Sequence, residues 1–368
     1  TFVELVEALE SGAPLDSVKG IAHKEKGEHH FTESRPFIDL NEDPVPAYHL
    51  VDMDNYNEQI LDINHIHIIC SRGCIYDCSY CWDPVFHQRK YRTMDPDNVL
   101  DLMSRVVRDY GKKGFIFGDD NFFIDLDWAY NVLEKIVRAG LDIHIGKQFI
   151  RADTLCRLDK DFLDLIVKAG GKRFVIGAES GSPRILKMIK KRITVEEIIE
   201  SNRKLIGHPI HLAFLFMMGL PTETPEEVGE SVKLADRLMK ENPDSSRAFN
   251  NYTPFPGTEL YEKIVKMGFK EPDRMEDWGR MSYRGISKDT PWILPETKKL
   301  VSILDYALMC SDRDNSLGPI KKADPLLVWM ARAYGPLARY RVRSLDTRFP
   351  IEPILIKALR RLMGRDRG

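Results

Sequence analysis

The sequence predicts an α/β fold: a partial (β/α)6 TIM-like barrel with parallel strands, followed by a helical C-terminal region. Three observations predict it. From residue 63 onward, apolar strand-like runs alternate with helical stretches through six repeats. Such alternation implies a parallel sheet with right-handed crossovers, and fewer than eight units leave the barrel open. A polar segment rich in Gly or Pro also recurs at the same end of the strands, where chemistry gathers in sheets of this kind.

The elements follow in order. Residues 1–60 read as a leading segment and linker. "TFVELVEALESG" has the period of a short amphipathic helix stopped by Gly12. "VKGIAHKEKGEHHF" suits a hairpin turning at Lys26-Gly27, and the Pro-rich "RPFIDLNEDPVPAYHL" reads as irregular. Residues 61–270 hold the barrel. Strands are expected over 63–70, 113–118, 142–150, 171–178, 209–219 and 246–254, and helices over 95–110, 126–139, 159–169, 195–206 and 225–241. Residues 271–368 form a helical, basic region; from residue 321 on there are 12 Lys/Arg against 4 Asp/Glu. Within it, residues 353–365 place Ile354, Leu355, Ala358, Leu359 and Leu362 on one helical face. That face could dock on the barrel or touch an anionic membrane surface.

Composition is that of an ordinary globular protein, with 43% hydrophobic and 30% charged residues and a net charge of −2. The whole molecule is therefore no polyelectrolyte binder, and nucleic acid is not an expected partner. No apolar run approaches the ~18–20 residues needed to cross a bilayer, and no signal-peptide pattern opens the chain. A cytoplasmic setting is expected. Thr1 in first position suits a fragment or a processed chain.

The 6 cysteines are clustered rather than paired along the chain, which argues for a reducing compartment. Cys74, Cys78 and Cys81 have the spacing C-x3-C-x2-C. A structural zinc site wants four ligands, commonly in two separated pairs, and no second pair follows. Three thiolates on a short loop can hold three irons of a [4Fe–4S] cube, leaving the fourth open to a small molecule. Cys70, at the end of the first strand, reads as a small apolar core residue.

With Tyr80 before the last cysteine, this motif resembles that of the radical S-adenosylmethionine superfamily. "SRGCIYDCSYC" (71–81), "KYR" (90–92), "GDDNF" (118–122), "GAESGSPRILKMIKKRIT" (177–194), "GLPTET" (219–224) and "TPFPGTELY" (253–261) resemble the branch that usually carries an N-terminal cobalamin-binding domain. That branch includes anaerobic magnesium-protoporphyrin ester cyclases, hopanoid-modifying enzymes and C-methyltransferases. The resemblance spans about residues 1–270. It implies a [4Fe–4S] cluster on Cys74, Cys78 and Cys81, with S-adenosylmethionine on the open iron. One electron would then cleave the sulfonium to a 5′-deoxyadenosyl radical that abstracts hydrogen, or methyl transfer would follow if cobalamin is supplied. Cobalamin's D-x-H-x-x-G motif is not in this sequence, and residues 1–45 resemble only the tail of the domain that carries it. A reductant such as flavodoxin or ferredoxin and a small-molecule substrate, lipid-like or tetrapyrrole, are the implied partners.

The strand ends supply the remaining site residues. Gly118 and Asp119 stand where the superfamily receives the amino group of S-adenosylmethionine, or Asp119 caps a helix. Glu179 is implied to bond the ribose or amino group. Arg151 could clamp a carboxylate, or pair with Asp153 or Glu179. Tyr80 could present its ring or backbone to adenine, and Gly219 could allow close backbone approach. His65, His67 and His211 read as core or hydrogen-bonded histidines. Two other functions fit fewer of these features: a tRNA methylthiotransferase, which would add a basic β-barrel domain, and an iron–sulfur electron carrier, which would want four cysteine ligands.

Overall fold

The computed structural model describes residues 1–43, 45–56, 58–60, 63–279, 281, 290–311 and 325–352. Two compact units divide after Pro46. In the first, the helix Phe2–Ser11 stops at Gly12, whose left-handed φ of 72° caps it. Strands β1 (Ala22–Glu25) and β2 (Glu28–Phe31) form the hairpin expected around Lys26-Gly27.

The second unit is built on a seven-stranded sheet. Its strands are β3 (Glu58–Ile60), β4 (Ile63–Ile68), β7 (Gly114–Phe117), β8 (His144–Phe149), β9 (Arg173–Glu179), β10 (His211–Met218) and β11 (Ser245–Asn251). A separate two-stranded ribbon, β5 (Ser71–Arg72) with β6 (Arg92–Thr93), lies between β4 and β7 in the chain. The sheet order is β11-β10-β9-β8-β7-β4-β3, and its strands β4, β7, β8, β9, β10 and β11 run parallel in sequence order. This is the open (β/α)6 arrangement expected from the β-α alternation. β3 is an addition: residues read as linker pair antiparallel with β4 at the sheet edge.

The helices form where the apolar period is 3.6, at Pro96–Tyr110, Leu126–Arg138, Lys160–Lys168, Val195–Lys204 and Pro225–Glu241. Side-chain caps start each one; Thr194 with Glu197 and Thr224 with Glu227 make full capping boxes. Such a cap stabilises its helix by about 1 kcal/mol. Short helices such as Ala152–Arg157 and Pro183–Met188 were not foreseen. At 6 residues each they are too short for a periodic signal.

Alternation along the strands sorts the two sheet faces. Phe115, Phe117, Phe174, Ile176, Phe214 and Phe216 are fully buried in the main core. Residues between them, including Gly177 and Glu179, therefore face the other way. A second apolar cluster joins Val228 and Val232 to Leu300, Leu304, Tyr334 and Val342. It fixes the helices Pro295–Ser311 and Pro325–Ser344, as the helical C-terminal expectation requires. The amphipathic stretch 353–365 lies outside the described residues. Among the described residues, no helix is long and apolar enough to cross a membrane.

Candidate functional site

The cysteine loop leaves β4 and is pinned from several sides. Asp119, just past β7, directs Oδ1 at the backbone N–H groups of Cys70 (3.1 Å) and Ser71 and at the Ser71 hydroxyl (2.6 Å). Asp120 Oδ2 accepts from Gly73 N at 3.0 Å. Gly73 is required here: its φ is 91°, and a Cβ would lie 2.2 Å from the Lys90 carbonyl. Further along, Ser79 N donates to Ile189 O at 3.0 Å and Leu260 N to Ser79 O at 2.8 Å. Backbone bonds to three separate segments thus hold the loop without using a cysteine side chain.

Cys74, Cys78 and Cys81 are half-buried free thiols. Burial pushes Cys74 up to about 11 and Cys81 up to about 12, and the neighbouring cysteine sulfurs push both further in the same direction. Burial also raises Cys78, while Lys191 and Arg151 pull it back. Three thiols on one loop, with Lys191 and Arg151 lowering Cys78, would suit a metal cluster: iron would displace their protons and the cations would offset thiolate charge. Cys70 is fully buried in the apolar core, and its thiol is pushed well up by that burial. Cys156 bonds the Glu197 carbonyl at 3.4 Å, and Cys310 packs in the C-terminal apolar cluster.

Glu179 closes β9 in the left-handed region, with φ 62°. The β9–β10 register shifts beside it, between Leu215 and Phe216. This bulge aims the carboxylate at the loop, where Oε1 accepts from the Tyr80 hydroxyl at 2.8 Å and from Lys191 Nζ at 2.8 Å. Lys191 Nζ also donates to Tyr80 Oη at 3.2 Å. Gly177 makes the space, since a Cβ there would sit 2.2 Å from Glu179 Oε1 and 2.9 Å from Lys191 Nζ. Burial, reinforced by Glu179, raises the Tyr80 phenol well above its usual range, so it stays a donor. Lys191 was missed in the sequence, although it lies inside a segment singled out there. Nothing in one-dimensional spacing marks which of three consecutive cations turns inward.

Arg151 is buried and its donors are largely in use. Nε reaches Asp153 at 2.9 Å, and Nη2 reaches the carbonyls of Lys191 (2.9 Å) and Arg192 (3.2 Å). Its guanidinium carbon stands 3.6 Å from the Tyr76 ring centroid. Of the two pairings weighed, the one with Asp153 forms. The residue holds the basic turn that delivers Lys191. Gly118 is exposed, donates to Ile68 O at 2.8 Å, and a Cβ there would meet nothing closer than 3.4 Å. Asp119 is fully committed at Oδ1, while Oδ2 is buried without a partner. Burial raises its carboxyl to about 6 against the donors from Ser71 and Cys70. Gly219 has φ 74°; its N–H donates to Glu223 Oε2 (2.7 Å) and its carbonyl accepts from Trp292 Nε1 (3.0 Å). Tyr80 and Glu179 are thus brought together, Arg151 stands behind them, Gly118 and Asp119 underlie the start of the loop, and Gly219 shapes the β10 exit.

Asp83, His87 and Asp120 gather behind the loop, with ligand-type atoms within 4.8 Å of one another. His87 Nε2 lies 3.9 Å from Asp83 and 3.8 Å from Asp120. Arg92 Nη2 stands 3.0 Å from His87 Nδ1 and can only donate, so in the neutral ring Nε2 carries the proton. A ring held this way offers no lone pair to a metal. The group reads as acid–imidazole packing against the cysteine loop.

Residues 68–235 match the radical SAM superfamily. An uncharacterised methyltransferase of Pyrococcus horikoshii is 31% identical over 267 residues, covering 72% of this chain and 56% of the relative. The anaerobic magnesium-protoporphyrin IX monomethyl ester cyclase of Cereibacter sphaeroides is 28% identical, covering 83% of this chain and 48% of the cyclase. The chain therefore spans about half the length of these curated relatives. Among solved structures, the cobalamin-dependent S-adenosylmethionine radical enzyme OxsB shares the fold, with TM-score 0.65 at 18% identity over 99% of this chain and 58% of OxsB. The cysteine loop at the first strand end, the barrel order and these likenesses agree: residues 68–235 form a domain of the radical SAM superfamily.

Proposed function

We propose that this chain is the radical SAM core of an enzyme that cleaves S-adenosylmethionine reductively, for hydrogen abstraction or, with cobalamin held by residues outside this sequence, for methyl transfer. The observation that carries the reading is the match of residues 68–235 to the radical SAM superfamily, with Cys74, Cys78 and Cys81 on the loop that leaves the first barrel strand and Tyr80 of that loop bonded to the Glu179–Lys191 pair. Once bound, the cluster supplies the electron that breaks the sulfonium bond. The protein's share is positioning. Glu179, held by two donors on Oε1, presents a carboxylate to a ribose or ammonium. The unpartnered Oδ2 of Asp119 is a second acceptor within the strand-end layer. Tyr80 and the β10 exit at Gly219 wall the same end of the barrel. A small molecule is the substrate in this reading, and the methyltransferase and cyclase relatives favour methyl transfer or ring formation on it.

The test is anaerobic reconstitution with iron and sulfide, then S-adenosylmethionine and a chemical reductant, with and without cobalamin. 5′-Deoxyadenosine or S-adenosylhomocysteine is the expected product. Iron bound with neither product formed, and with no change in the cluster's EPR signal on adding S-adenosylmethionine, would favour a plain electron carrier instead.

A further inference from the structure

The inner face of the open barrel carries two cations that the reaction chemistry leaves without a task. One set of strand residues fills the main core, so the residues alternating with them line the inside of the barrel. Strand pairing sets His67 beside Ile116, Ile116 beside Lys147, and Arg173 beside His211. The constant offset from Ile145–Gly171 to Gln148–Phe174 puts Lys147 beside Arg173 and completes the row. Two glycines locate the face: a Cβ on Gly146 would sit 2.3 Å from His65 Nε2, and one on Gly118 would sit 3.7 Å from His67 Nδ1. Solvent reaches it, since Ile69 is 48% exposed and the His67 side chain 55%.

Like charges side by side repel, more so where burial lowers the dielectric. Lys147 and Arg173 are both half-buried. Among the described residues, Lys147 Nζ makes no ion pair and no hydrogen bond; it stands 5.0 Å from the Phe149 ring centroid. The Arg173 guanidinium makes none either, and its Nε is buried without a partner. Few acids face the row. Glu58, on the edge strand β3, acts on Arg173, but its Oε2 already lies 3.0 Å from His67 Nε2. Asp244, just before β11, is exposed and acts on His211. His211 Nε2 lies 2.8 Å from Ser246 Oγ, and burial with help from Arg173 holds its ring below the usual range, so it adds no third fixed charge. Glu179, at the far end of β9, is taken up by Lys191. Two fixed cations thus share one carboxylate, which His67 also uses.

Toward the strand ends the same face turns apolar. Val175 and Ala213 form its floor, and Phe149 and Leu215 stay half-buried. Arg173 precedes Glu179 by six residues on β9, about 20 Å of strand. A charged anchor, an apolar wall and the cysteine-loop end therefore follow one another along the barrel.

We propose that Lys147 and Arg173 anchor a phosphate or carboxylate group of the substrate, whose apolar body lies along Phe149 and Leu215 toward the cysteine loop. The substrate class is then an elongated amphipathic anion. The proposal rests on the radical SAM reading above, which supplies the reacting end. Lysine offers a point charge and arginine a planar fork, a combination that suits a group with several anionic oxygens. Both act by positioning, and no bond forms or breaks at the anchor.

The test uses the anaerobically reconstituted protein and three probes of one length: octyl phosphate, octanoate and octanol. Titration calorimetry compares the unsubstituted protein with Lys147→Gln, Arg173→Gln and Arg173→Lys. At least one anion should bind about tenfold or more tightly than octanol, and the tighter of the two identifies the headgroup. Each glutamine variant should weaken that anion by about tenfold and change octanol by less than about twofold. Arg173→Lys, which keeps the charge, should recover most of the loss. Circular dichroism checks that each variant is folded; the two glutamine substitutions lie on different strands, so either one decides. Anions that bind no tighter than octanol, or that bind the folded glutamine variants unchanged, would overturn the proposal. So would displacement of the anion by saturating S-adenosylmethionine, which would assign the pair to the cofactor's own carboxylate. The underlying reading fails separately. Anion binding through the pair, with neither 5′-deoxyadenosine nor S-adenosylhomocysteine formed, would leave the anchor standing and remove the proposed reaction. Product formed without anion binding would remove the anchor alone.

Discussion

Replacing Glu223 with glutamine should stabilise the protein, and more so as pH rises. Glu223 is fully buried at the β10 exit; Oε2 accepts from the N–H groups of Gly219 (2.7 Å) and Leu220 (3.2 Å), and Oε1 is buried without a partner. Burial raises its carboxyl from 4.5 to about 8, outweighing the two backbone donors. A raised acid pKa means that the folded state keeps a proton which the unfolded chain releases above 4.5. The stability this contributes is complete below pH 4.5 and is lost as pH climbs through 8. At about 1.4 kcal/mol per pH unit the window is worth roughly 4–5 kcal/mol, and relaxation around a buried acid could halve it. Glu223→Gln keeps an oxygen for Gly219 and Leu220 and never ionises. Guanidinium unfolding of both proteins at pH 5, 6.5 and 8 should show a stability difference that grows by roughly 2–4 kcal/mol across the series. Other titrations, including those of the cysteines, are common to the two proteins and cancel. A difference independent of pH would refute the reasoning.

Three further outcomes follow from the site. Cys74→Ala should lose most of its iron and its absorbance near 400 nm after reconstitution, whereas Cys70→Ala should keep both and lose about 1 kcal/mol of stability from the core. Gly177→Ala should retain iron but bind S-adenosylmethionine at least about tenfold more weakly in equilibrium dialysis, because its Cβ occupies the place of Glu179 Oε1. Tyr80→Phe removes the hydroxyl that donates to Glu179 at 2.8 Å and accepts from Lys191 at 3.2 Å. The cost should be about 1–3 kcal/mol in S-adenosylmethionine affinity with iron content unchanged, and equal affinity for both proteins would exclude the group from the site.

The sequence by itself determined the fold class, because β-α alternation and strand-end punctuation are local properties. Six strands and five helices lie within a few residues of where periodicity puts them. It also determined the cysteine spacing, since three ligands on one loop need no tertiary information to be seen together. What was not legible depends on distant segments meeting. Strand β3 is too short to carry a period and exists because β4 leaves an edge open beside it. The Glu179–Lys191 pair needs a bulge on β9 at Ala178, a glycine at 177 and a turn held by Arg151 from the end of β8, so distant stretches of chain must meet. The tertiary structure also gave Asp119 its second task, bracing the loop through Cys70 and Ser71 across 49 and 48 residues. It gave Glu223 a buried environment that no neighbour in sequence reveals. Periodicity and spacing travel along the chain, whereas desolvation and hydrogen-bond partners are set only when the strands close side by side.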